Sequence, residues 1–142
     1  METIHPAVVH FPIALLLTAV AFDLAALIFG RAQMHRLALW NLCLGTVGAA
    51  LAVLTGLQAE AVAKHSFEIW QVLGLHKRLA IASLILGLAA AAPRLWKRDR
   101  LSRRARTVTM AVMLAMAATL GIAGYLGGRL VYEFGVGGRF GT

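Results

Sequence analysis

Apolar residues along this chain come in four long runs rather than in the alternating or short-period patterns of a soluble core. Ala7 to Gly30, Leu37 to Ala59, Leu79 to Trp96 and Val108 to Gly128 each approach or exceed the length of about 20 residues that a helix needs to cross a hydrocarbon core. Four membrane-spanning helices are therefore predicted. Between the second and third runs, Glu60, Lys64, Glu68 and Gln71 recur every three or four residues among Val62, Phe67, Ile69, Trp70 and Val72. That spacing predicts a short amphipathic helix lying in the interface. The fold class read from the pattern is all-α: a single four-helix transmembrane bundle, residues 1–142, with an interfacial helix between helices 2 and 3.

Composition agrees with the pattern. Sixty per cent of the 142 residues are hydrophobic and the mean hydropathy is +0.76, well above a soluble domain. A net charge of +8 would suggest nucleic acid in a soluble chain, but the densest basic run, KRDRLSRRAR, joins two spans and reads as a topology signal. The loops at 31–36 and 94–106 hold nine of the fourteen Lys and Arg. They are expected inside and both termini outside, in an inner (cytoplasmic) membrane. The first span lacks a basic N-terminal flank and is expected to stay attached rather than be cleaved. Cys43 is the single cysteine, so no internal disulfide can form.

Lipid tails give helices no hydrophobic reason to associate, and small residues mark where backbones approach. Gly45, Ala49, Ala52 and Gly56 form such a stripe; so do Ala80, Ser83, Gly87 and Ala90, and Ala111, Ala115 and Ala118 leading into Gly121, Gly124 and Gly128. Asp23 lies deep in the first span, where an unpaired acid costs roughly 2.5–3.5 kcal/mol. Asn41, at similar depth in the second span, is its expected partner. Met110, Met113 and Met116 read as packing residues, and His35 as a solvated loop histidine.

Four histidines, His5, His10, His65 and His76, fall at the ends of spans on the expected outer side. His5 and His10 are 140° apart on a continuous helix and would have different partners. Pro12 lacks the amide that would bond to Val8, so the first helix either starts near it or bends there. His10 and His76 sit at matched depth on separate helices, an arrangement suited to a planar cofactor. Imidazole ligates haem iron, and bundles build such sites between facing helices. The expectation is haem b held by His10 and His76, with His5 and His65 nearby as supporting groups or as ligands of a second haem. Arg129 and Tyr132 would meet the propionates. Electrons would pass to a redox partner or a larger membrane complex at the outer face. The rival readings are a structural or assembly subunit, and a transporter handling metal or protons with the same histidines.

The run HPAVVHFPIALLL at 5–17, Thr55-Gly56, HKRLA at 76–80 and GGRLVYEFGVG at 127–137 resemble the bacterial membrane family catalogued as domain of unknown function 2231. The resemblance spans essentially the whole chain and implies a four-helix membrane domain of unassigned function. It marks His5, His10, His76 and the Gly127–Gly137 tail as motif positions, with His65 a weaker match. Some relatives occur alongside redox proteins, which by analogy favours electron transfer. The tail departs from the pattern at Gly138, where an apolar residue is expected.

Overall fold

The computed structural model describes residues 4–62, 66–97 and 100–136. Among them the chain is helical: α1 (His5–Val8), α2 (His10–Phe29), α3 (Ala32–Val62), α4 (Phe67–Trp96) and α5 (Arg103–Tyr132). The four segments His5–Phe29, Ala32–Ala61, Phe67–Trp96 and Arg103–Tyr132 are long and apolar enough to cross a membrane. Each is longer than its hydrophobic run because flanking residues continue the helix, at both ends in α3 and α5 and at the N-terminal end in α4. The break between α1 and α2 falls at Val9, beside the Val8 carbonyl that Pro12 leaves unbonded.

Local chemistry sets the ends. Gly30, at φ +64°, takes the left-handed conformation that turns α2 into α3 within two residues. Ser66 and Ser102 accept from the amides of Ile69 and Ala105 and start α4 and α5, the usual role of an N-cap serine. At the far end of α5, Gly135, also at φ +64°, lets the Val136 amide reach the Leu130 carbonyl at 2.8 Å. With the Gly135 amide bonded to the Val131 carbonyl at 3.1 Å, this is an αL closure, and it explains Gly135 within GGRLVYEFGVG.

α2 and α3 form one antiparallel hairpin and α4 and α5 another; α3 against α4 and α2 against α5 close the bundle. The core is made by Leu16, Ala19, Val20, Leu42, Ala49, Met113, Met116 and Leu120. Two small-residue stripes face inward as expected. A Cβ on Gly45 would meet Leu16 at 2.8 Å, and one on Gly87 would meet Thr46 Oγ1 at 2.9 Å. The third stripe does not: Ala111, Ala115 and Ala118 are exposed, and a Cβ on Gly121, Gly124 or Gly128 would meet nothing within 4 Å. α5 instead packs through Met110, Met113, Met116, Leu120 and Leu126, since flexible thioethers fill the irregular gap.

The interfacial helix is also revised. Glu60 to Val62 ends α3, and Phe67 to Leu73 forms the first turns of α4, continuous with the span because no breaker interrupts it. Its Glu60 finds a partner across the α3–α4 interface: Lys77 Nζ donates to both oxygens of Glu60 at 2.6 and 2.9 Å. Lys64 and His65 lie outside the described residues.

Candidate functional site

Polar side chains gather at both ends of the bundle. At the end carrying the N-terminus, His5 from α1 and His76 from α4 face each other, ring centroids 6.3 Å apart and planes at 80°. Each ring is held by its Nδ1. His5 Nδ1 is 3.1 Å from Thr55 Oγ1, whose hydroxyl hydrogen is directed to the carbonyls of Leu51 and Ala52. The threonine oxygen therefore accepts, and His5 donates. His76 Nδ1 donates to the Ala123 carbonyl at 2.8 Å. Both rings thus carry their hydrogen on Nδ1 and keep a lone pair on Nε2, the arrangement that fixes the tautomer of a metal-binding histidine.

Glycines make room for both rings. A Cβ at Gly56 would lie 3.0 Å from His5 Cε1, and one at Gly127 3.1 Å from His76 Cε1. Thr55-Gly56 and Gly127, read as family motif positions, are therefore the seats of the two imidazoles. Among the described residues no group of three or more His, Cys, Asp or Glu converges; a facing imidazole pair is what this end offers.

The fold brings His5, rather than His10, to His76. His10 is exposed, its Nδ1 bonded to the Pro6 carbonyl one turn back at 2.7 Å. The 140° between the two histidines puts one inward and the other outward. Spacing decides which: Pro12, Leu16, Ala19 and Asp23 are among the buried residues of α2, and His5 precedes Asp23 by eighteen residues, five helical turns on one face. Arg129 lies near this end, but its Nε donates to both Glu133 oxygens at 3.0 and 2.9 Å, so the propionate role expected of it meets a carboxylate already in place. That bond holds the Glu133 carboxyl below the usual carboxylate range. Tyr132 is exposed.

At the arginine-rich end, one residue from each long helix enters a second cluster. Arg94 of α4, 2 % exposed, donates to Asp23 Oδ2 at 3.1 Å and Oδ1 at 3.3 Å, and to the His35 carbonyl at 2.9 Å. His35 Nδ1 sits 2.7 Å from Asp23 Oδ1, and Arg106 of α5 lies 2.7 Å from His35 Nε2. This corrects two expectations. Asp23 pairs with Arg94 and His35, while Asn41 donates to its own helix at the Leu37 carbonyl; and His35 is largely buried, its side chain 12 % exposed. An arginine's desolvated fork is the stronger partner for a buried carboxylate, and α4 carries it inward past Pro93.

With the geometry in place, the comparison with known families is direct. The model of the family described as "Predicted membrane protein (DUF2231)" matches residues 1–139. The chain belongs to this family. No curated protein and no solved structure matches it. DUF2231 membership establishes a membrane protein and assigns no activity, so the function of this member rests on its own side chains.

Proposed function

We propose that the protein is a b-type membrane cytochrome in which His5 and His76 hold haem b. The observation that carries the reading is the facing imidazole pair: two rings on different helices, each tied at Nδ1 and each seated on a glycine. His5 and His76, with ring centroids 6.3 Å apart, are the residues that would hold the iron through imidazole nitrogen. Haem would supply a one-electron carrier. The chain's own part is to fix both ligand tautomers, orient the rings through Thr55 and the Ala123 carbonyl, and leave backbone rather than side chain beside them.

On this reading electrons pass to a redox partner, or to a larger membrane complex, at the outer face. The nine cationic residues at the opposite end support an orientation with both termini outside the inner membrane. A reporter active only in the cytoplasm, fused at Thr142, should give no signal.

The test is the optical spectrum of protein purified from cells supplied with haem. A Soret band with a sharp reduced α band is expected in the parent. His5→Ala and His76→Ala should each abolish or convert the low-spin spectrum, because losing one imidazole opens a coordination position; His10→Ala should leave it intact. A parent that binds no haem would end the proposal. So would parental spectra at full occupancy in both His5→Ala and His76→Ala.

A further inference from the structure

The arginine-rich cluster dictates the protonation of its own histidine. Arginine has no acceptor, so the Arg106 guanidinium, 2.7 Å from His35 Nε2, can only donate to it. Nε2 therefore carries a lone pair and the ring hydrogen is on Nδ1, pointing at Asp23 Oδ1 2.7 Å away. His35 is neutral in this structure and in the Nδ1–H tautomer.

We infer that His35 is a proton-operated latch that releases Arg106, and with it the start of α5, when its Nε2 is protonated. A hydrogen on Nε2 would face the Arg106 N–H across 2.7 Å, donor against donor and cation against cation. One of the two must leave. The groups facing His35 decide which. From α2, Asp23 accepts from Nδ1 and gains from a positive ring. From α4, Arg94 is 2 % exposed and bound to both Asp23 oxygens and to the His35 carbonyl. From α5 come Arg106 and Thr109, which with Leu101 line a narrow recess beside the cluster; Thr109 is engaged with the Ala105 carbonyl. Arg106 is the half-buried member, in the first turn of α5, where its amide bonds to Ser102.

Its release takes one cation away from a ring that has just gained a charge and already has Arg94 bonded to its own carbonyl. Arg94 continues to tie α2, α3 and α4 together, so only α5 is freed. The contact is therefore sensitive to protonation of the ring from the arginine-rich side. The latch is independent of whatever His5 and His76 bind.

Nitrogen-15 NMR of the labelled full chain in detergent micelles tests it. At neutral pH His35 should show the Nδ1–H tautomer. As pH falls, the Arg106 guanidinium resonances should change with the same midpoint as His35, the released-to-held ratio rising tenfold per pH unit. In His35→Gln the Arg106 change should vanish, with helicity by circular dichroism confirming the fold; in Arg106→Gln the His35 titration should persist. An Nε2–H tautomer at neutral pH overturns the inference in the parent protein alone. Arg106 resonances that ignore the protonation of His35 overturn it as well.

Discussion

Asp23→Leu is the most informative single perturbation of the fold. The carboxylate, 2 % exposed, is the anion facing Arg94, and Arg94 cannot shed its charge. Breaking a buried pair by removing one partner costs about 3–5 kcal/mol, at least a hundredfold in the folded-to-unfolded ratio. Arg94→Met should cost less, since Asp23 keeps His35 at 2.7 Å. The double variant Asp23→Leu/Arg94→Met removes both charges and fills similar volume with apolar atoms. It should recover most of the loss, as replacement of buried ion pairs commonly does.

The assay is reversible unfolding of the purified protein in mixed micelles, followed by circular dichroism, with the four proteins treated as a double-mutant cycle. Asp23→Asn adds a discriminating arm. If Asp23 paired with Asn41, an amide would serve as well as an acid; with Arg94 as partner the amide gives up a charge-assisted bond and should destabilise by more than about 1 kcal/mol. An Asp23→Leu protein within about 0.5 kcal/mol of the parent, or a double variant whose loss equals the sum of the singles, would refute this account of the pair.

Gly45→Ala should destabilise by about 1–3 kcal/mol, because its Cβ would lie 2.8 Å from the Leu16 side chain and 3.1 Å from the Leu16 backbone nitrogen; the same assay reads it. Gly121→Ala, where a Cβ meets nothing within 4 Å, should be neutral or stabilising by up to about 1 kcal/mol from helix propensity. Ser83→Ala removes the 2.9 Å bond to Thr119 across α4 and α5 and should cost about 0.6 kcal/mol, the average for hydrogen bonds between membrane helices. The Arg129–Glu133 pair should behave as an acid-labile cap. Because Glu133 is held below its ordinary value, its contribution is present above the usual carboxylate range and lost as pH falls through the depressed one, which a carboxyl titration by NMR would show.

How much of this was legible follows from which degree of freedom each feature needs. Spans and hairpin order depend on hydropathy along the chain, which the sequence displays directly. The ion pair depends on azimuth, on which side of α4 faces α2 seventy-one residues earlier, and hydropathy is blind to that. Arg94 was counted with the basic loop because it follows Pro93 and precedes Lys97. In the structure α4 runs past Pro93 to Trp96, placing Arg94 on the face of Ser83, Gly87 and Ala90. On α5 the inference from small residues failed because methionines made the packing face, and the exposed alanines and glycines face outward.

One signal could have supplied the azimuth. His5 precedes Asp23 by eighteen residues and His76 precedes Arg94 by eighteen, five turns and about 27 Å in each helix. α1–α2 and α4 run in the same direction along the bundle, so a pair of helices that meets at His5 and His76 is in register to meet again at Asp23 and Arg94. The two contacts across the bundle share one alignment. A single rotation of α4 satisfies the buried carboxylate at one end and faces the imidazoles at the other, whereas the His10 alternative, 140° away, would satisfy neither. The arginine-rich end therefore acts as a positioning device for the histidine end: strong, desolvated and geometrically specific at Asp23–Arg94, it fixes the rotation of α4 that His76 needs in order to face His5. Asp23→Asn should accordingly weaken the His5–His76 alignment about 27 Å away, visible as broadened His76 Nδ1–H signals even where the bundle stays folded. Unchanged His76 signals in that variant would show that the two ends are set independently.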